Sequence, residues 1–272
     1  MATQDPGSQA NRRETAIGRG WRLTAASWRL TWRNRTVLTL AILGAIAGSA
    51  AFAAAVILAS SGRLGPSQID HGHLVAGALL GFYPLAFLGV FFDVAMAAAA
   101  GASLDGGRMK IGEALRSAHH RVLGIALWAF VTALFAFLLR IAGFDSPGSS
   151  VIAVWSLALL WVVATIFIVP ILALEDAGLG ETVRVSRTLL GRSWRENLTG
   201  LAVIGLGASF IAIPSTFFLF VGAASAVLTP GGGALIVSAI GLLGLVLARV
   251  IGGSIRQVFA VALYRYAASA SA

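Results

Sequence analysis

Cysteine is absent from the 272 residues and acid is scarce: 11 Asp and Glu stand against 20 Lys and Arg, for a formal charge of +9. Without a thiol there is no disulfide framework, no Cys-ligated zinc, no haem attached through Cys and no thiol redox chemistry. Charged residues of both signs make up only 11% of the chain. A soluble domain carries roughly 25%, so a globular surface cannot be covered. Lys110 is the one lysine, and the histidines number 4. HExxH, the nucleophile-elbow GxSxG, the Walker glycine loop and the Asp-rich set of lipid phosphotransferases are all missing. No His falls within an apolar stretch, which leaves no base for a membrane-embedded Ser–His dyad. The reading is of a non-enzyme without cofactor or metal.

What the chain has is apolarity: 58% of residues are hydrophobic and the mean hydropathy is +0.86. Six stretches are long enough to cross about 30 Å of hydrocarbon, which takes roughly 20 helical residues. They fall near residues 37–58, 74–101, 122–141, 152–174, 198–228 and 234–267. Unpaired backbone groups in lipid are costly enough that each is expected to be helical, and the alternation of a barrel strand is absent. The predicted fold is an all-α membrane protein of six transmembrane helices, with interfacial amphipathic helices on the cytoplasmic side. Residues 1–19 are predicted to be a disordered lead and 20–272 a single membrane domain. About 35 polar and basic residues precede the first apolar run, which is not the pattern of a secretory signal.

Arginine placement predicts the orientation. Of the 20 Lys and Arg, 17 fall before the first stretch, between the second and third, between the fourth and fifth, or near the end of the chain. Only Arg63 and Arg140 lie on the opposite side, and Arg249 lies within the sixth stretch. Both termini are therefore expected in the cytoplasm of a bacterium, the protein being multi-pass in its plasma membrane. The positive charge reads as an insertion and lipid-surface signal, with no nucleic-acid partner.

Residues 20–35 predict an interfacial helix. Trp21, Ala25, Trp28 and Trp32 recur at spacings of 4, 3 and 4 and share one face, with Arg22, Arg29 and Arg33 about a quarter-turn away. Aromatic rings at headgroup depth beside phosphate-facing arginines suit that position, as a binding surface or as a topology anchor. Two further segments, Gly112-Glu113-Ala114-Leu115-Arg116-Ser117-Ala118 and Gly180-Glu181-Thr182-Val183-Arg184-Val185-Ser186, resemble each other at an offset of 68 residues. Each is expected to lie along the membrane, and the offset raises a duplication of spans two to three as four to five.

Four short motifs carry a family resemblance: Ser27-Trp28-Arg29-Leu30-Thr31-Trp32-Arg33-Asn34, Leu104-Asp105-Gly106-Gly107, Val169-Pro170-Ile171-Leu172-Ala173-Leu174-Glu175, and Ala262-Leu263-Tyr264-Arg265-Tyr266-Ala267. With them the chain, from about Gly20 onward, resembles an uncharacterised bacterial family of six-pass membrane proteins. It is more distantly similar to the membrane domain fused to some glycerophosphodiester phosphodiesterases, whose catalytic barrel it lacks. The resemblance implies the architecture and no activity.

Asp93 and Arg249 are the two clear cases of a charge inside a span, the cytoplasmic boundary of the sixth being taken at Arg256, and each such charge costs about 2.5–3.5 kcal/mol even on the lenient insertion scale. Asp93 and Arg249 lie at similar depth from the cytoplasmic ends of spans two and six and are the expected intramembrane ion pair, serving a structural role or gating a solute. Gly244, Ala248 and Gly252, with Gly44, Gly48, Gly77 and Gly81, form stripes that let helices approach closely. Pro84, Pro170 and Pro214 are expected to kink their spans. Asp70-His71-Gly72-His73 is too sparse for a metal site, and His119-His120 reads as interfacial. The functional expectation is a scaffold or accessory subunit binding anionic lipid headgroups, another membrane protein or a second copy of itself at the cytoplasmic rim. The alternative is a small transporter or channel with Asp93 and Arg249 lining a polar site. A polar cavity reaching Asp93 would favour the latter.

Overall fold

The computed structural model describes residues 16–60, 71–142, 149–175, 177–228 and 232–269. Residues 1–15 of the predicted disordered lead, the turns carrying Arg63, Asp70, Pro147 and Pro230, the side chains of His71, His73 and Arg140, and the surroundings of Gly77 and Gly81 lie outside what is described. The last four residues of that lead, 16–19, are helical and open the first helix, which corrects the expectation of disorder there. The described chain is helical throughout: α1 (Ala16–Arg33), α2 (Arg35–Ser60), α3 (His71–Leu104), α4 (Ile111–His120), α5 (Val122–Ala142), α6 (Ser149–Thr165), α7 (Ile168–Leu174), α8 (Leu179–Leu228) and α9 (Gly232–Ser269).

Five segments are long and apolar enough to cross a membrane: Phe82–Leu104, Val122–Leu139, Ser156–Leu174, Ser193–Ser225 and Gly232–Ser269. A sixth is reached when α1 and α2, bent by 84° at Asn34, are taken as one broken unit. The bend has a local cause. The Asn34 side-chain oxygen accepts the backbone N–H groups of Thr36 and Val37 at 3.1 and 3.3 Å, capping α2 as a new helix. The fourth predicted span is two helices: α6 stops at Thr165 and α7 begins at Ile168. Pro170 sits in the first turn of α7, where its missing N–H leaves no intrahelical bond unmade. Pro84 and Pro214 stand inside α3 and α8, which continue past them. α8 is itself divided at Ser193, whose backbone (φ −127°, ψ 20°) is not helical.

The core forms around α3. Val94, Ala95, Met96, Ala97, Ala98, Ala99 and Ala100 are all buried. Their small side chains let α2, α4, α5, α7 and α9 pack against one helix. α3 ends in a Schellman motif: Gly106 is left-handed (φ 78°), and Gly106 and Gly107 donate to the carbonyls of Ser103 and Ala102. α8 and α9 form the most extensive helix pair. Gly244 lies against Ser215 and Gly252 against Ala208, as a small-residue stripe on the sixth span requires, and Gly241 lies on the backbone of Leu219. Gly44 meets the Phe92 ring, whereas Gly48 faces open space.

The two similar heptads are both helical, and their buried positions coincide. Ala114 and Ala118 are fully buried on α4, and their counterparts at the 68-residue offset, Thr182 and Ser186, are buried in the first segment of α8. Each short helix ends at a residue of similar backbone, Arg121 (φ −105°, ψ 17°) and Ser193, before a long apolar helix begins.

Candidate functional site

The charges predicted inside the spans come together. Asp93 is the central residue of Phe82–Leu104, eleven residues or about 16 Å of helix from either end. Its carboxylate lies 3.4 Å from the guanidinium of Arg256. The sequence-based pairing with Arg249 is therefore corrected: Arg249 makes no ion pair among the described residues. The two arginines are seven residues apart on α9, two turns and hence one face, and depth counted from a predicted boundary could not choose between them. Arg249 is nevertheless part of the site. Its guanidinium lies over Gly253, where a Cβ would sit 3.0 Å from Nη1.

These groups line a cavity of about 380 Å³. Its polar lining is Asp93, Thr132, Thr165, Arg249, Arg256 and Gln257, contributed by α3, α5, α6 and α9, and the remainder is mostly apolar or aromatic. The space exists because α6 packs against α8 and α5 and scarcely touches α9. Trp161 stacks between Phe135 (4.0 Å, 11°) and Trp128 (5.8 Å, 4°) and forms part of the wall. A smaller cavity of about 70 Å³ is bordered by Ala41, Gly44 and Ser254, and both cavities touch Gly89, Asp93 and Arg249. Asp93 is 14% exposed and Arg256 31%, so the pair is only partly shielded. Gln257 is buried, and its side-chain oxygen has no hydrogen-bond partner.

The break between α6 and α7 borders this cavity, through Thr165, Ile166 and Val169. A helix that stops leaves its last carbonyls unpaired. Asn197 of α8 donates to one of them, the carbonyl of Val163, at 3.1 Å. Arg256, Gln257, Asn197 and the two tryptophans were not singled out by the sequence. Arg256 was counted with the arginines of the rim, and the Trp128–Trp161 stack joins residues 33 positions apart with no shared motif.

At the arginine-rich end the four resemblance motifs meet. Arg265 donates two hydrogen bonds to Asp105, one of 2.7 Å, and the Tyr264 hydroxyl donates to Glu175. Asn34 donates to the Ser103 hydroxyl at 2.6 Å, and the Thr36 hydroxyl donates to the Met109 carbonyl at 3.0 Å. The last helix is thereby fastened to the turns after α3 and α7, and the start of α2 is fastened to the end of α3.

On α1, Trp21, Trp28 and Trp32 are 60%, 43% and 51% exposed, and Arg22, Arg29 and Arg33 are exposed as well. The face turned to α8 and α9 is a different one: Gly20, Thr24, Ser27 and Thr31 are buried. Each hydroxyl donates to the carbonyl four residues back, at 2.7–2.9 Å. Small residues whose hydroxyls are satisfied within their own helix suit close packing.

Residues 74–272 match the model of a family of unknown function (DUF6159). The chain belongs to that family. The match includes every residue lining the larger cavity and omits α1 and α2, so the motif Ser27–Asn34 lies outside it. No curated protein and no solved structure matches the chain.

Proposed function

We propose that this protein is a small membrane carrier or channel whose solute occupies the cavity between α3, α5, α6 and α9. One observation carries the reading: a mostly apolar cavity is lined in part by Asp93, Arg249 and Arg256 near the middle of the candidate spans. Ionisable groups at such depth are expensive and are usual in solute pathways. The broken α6–α7 unit beside the cavity supports it, since transporter sites are built on discontinuous helices at the interface of repeated units. Here α3–α4–α5 and α6–α7–α8 are the two units, each a span, a short helix, a kink and a span. The protein has no native cysteine, so Thr132→Cys and Thr165→Cys can be tested alone with a small charged thiol reagent. Both should react, Lys110→Cys should react as the exposed control, and Phe210→Cys on the apolar face of α8 should not. Thr132→Cys and Thr165→Cys as inert as Phe210→Cys would mean that no water reaches the cavity, and the reading would fall.

A second reading rests on the exposed Trp21, Trp28 and Trp32 beside Arg22, Arg29 and Arg33. In it the protein is a scaffold or accessory subunit in a bacterial plasma membrane, with both termini cytoplasmic. α1 and the short helices lie at the inner leaflet and engage anionic headgroups or another membrane protein. Cysteines at Ser67, Ser146 and Thr229 should then label from outside intact cells and one at Ser117 should not.

A further inference from the structure

We infer that the ligand of the cavity is an amphipathic monoanion, a carboxylate head on an apolar tail. The inference rests on the carrier reading and adds the chemistry of what is carried. The cavity has two guanidiniums and one carboxylate, a surplus of one positive charge in apolar surroundings. Such a surplus is costly unless something neutralises it. Asp93 neutralises it only in part. It approaches Arg256 through a single contact of 3.4 Å, which leaves guanidinium donors of Arg256 and all those of Arg249 available to a planar anionic head. Gln257 lines the same wall, and its amide N–H is the group able to donate to the head, its oxygen being an acceptor like the head itself.

The rest of the lining decides the tail. Phe82, Leu85, Ala86, Ala133, Ala136 and Val162 offer no hydrogen bond from their side chains. A small hydrophilic anion would leave that surface unfilled. The volume of about 380 Å³ is near the lower end of the roughly 300–1,000 Å³ of small-molecule sites. It suits one short or medium chain. The seat of the head is set by the backbone: Gly253 has no side chain, so Arg249 can lie along α9 toward Asp93.

Asp93 competes with the ligand head for the arginines, and this gives the test an unusual sign. Thr132→Cys protein in nanodiscs of uncharged lipid is exposed to the thiol reagent with four probes: decanoate, decyltrimethylammonium, decanol and acetate. Decanoate should slow labelling most. The cation and the alcohol carry the same tail without the charge, and acetate the charge without the tail. Each should need at least about tenfold more to match decanoate. In this background Arg249→Gln should weaken decanoate protection about tenfold, Arg249→Lys should keep the charge, lose the planar fork and so retain only part of it, and Asp93→Asn should strengthen it. A merely structural role would make Arg249→Gln and Asp93→Asn move in the same direction. Equal protection by all the ten-carbon probes would overturn the anion, equal protection by acetate would overturn the tail, and a weakening by Asp93→Asn would overturn the competition. If Thr132→Cys never labels, the carrier reading itself fails. If it labels and decanoate does not protect, only the ligand class does.

Discussion

Arg265 grips the carboxylate of Asp105 from 160 residues away in the chain, through two hydrogen bonds from its guanidinium. Asp105 is the C-cap of α3, just before the left-handed Gly106, so the contact ties the end of the core helix to the end of α9. The hydrogen bonds from Arg265 hold the Asp105 carboxyl below its ordinary value of 3.8. A carboxyl depressed in the folded state favours folding above its unfolded pKa and loses that contribution as pH falls through the folded one. Wild type should therefore melt above Asp105→Asn at neutral pH, and the gap should close as pH is lowered from 4 toward 2. Both partners are substantially exposed, so the gap should be small and reduced by salt. A gap that persists unchanged at acid pH would show that the asparagine costs something other than the ion pair.

The Asp93–Arg256 pair should behave differently because it is more enclosed. Removing one partner of a fully buried pair costs about 3–5 kcal/mol, and the partial exposure here points to the lower figure. A double-mutant cycle on Asp93→Asn and Arg256→Gln should show strong coupling. The parallel cycle with Arg249→Gln should come out nearly additive, since no ion pair joins Arg249 to Asp93. Equal coupling in both cycles would mean that the carboxylate is shared.

The architecture was legible in the sequence because its signal is additive. Each span is some twenty apolar residues, and no single contact decides it. The breaks were legible only in part. Pro170 announced a disturbance in span four, but the gap falls at Ile166–Phe167, and what makes it tolerable is Asn197 reaching across from α8. Nothing local to either residue reports that contact. The choice of Arg249 over Arg256 failed for a related reason: residues two turns apart share a face, and only the tilt of α9 against α3 says which one meets Asp93. α1 shows a third limit. Its aromatic periodicity was plain, and it drew attention from Gly20, Thr24, Ser27 and Thr31, the face that packs. In a water-soluble helix that face would read as surface; between apolar helices, small hydroxyl residues make the interface.

Glycine substitutions give a graded test of the packing. At Gly241 a Cβ would lie 2.5 Å from the backbone nitrogen of Leu219, and backbone gives way less easily than a side chain. At Gly200 it would lie 2.0 Å from the tip of the Phe259 ring, itself fully buried. Alanine at either should cost about 1–3 kcal/mol, and somewhat more where the helices must separate. Gly48→Ala, with nothing within 4 Å, should be neutral or gain up to about 1 kcal/mol of helix propensity. Thermal unfolding in one detergent checks all three. A destabilised Gly48→Ala would reveal a neighbour absent from the single chain, such as a second copy.

The Trp–Arg helix admits a test in which its two readings part. If α1 is a recruitment surface, replacing Arg22, Arg29 and Arg33 with Gln should leave the spans inserted, because Arg12, Arg13, Arg19 and Arg35 still precede the first of them. The variant should nevertheless retain less anionic lipid through purification. Each arginine near an anionic leaflet is worth about 1 kcal/mol, an attraction that fades within a Debye length of about 8 Å at physiological salt. The deficit should therefore be large at low ionic strength and nearly vanish at high. Replacing the tryptophans instead removes apolar contact with no change of charge, so that loss should be insensitive to salt. Comparing the lipids and proteins that accompany wild type and the arginine variant, at low and high salt, decides the matter. Matching inventories at both would leave α1 as a topology anchor, its arginines fixing which way the chain inserts and recruiting nothing.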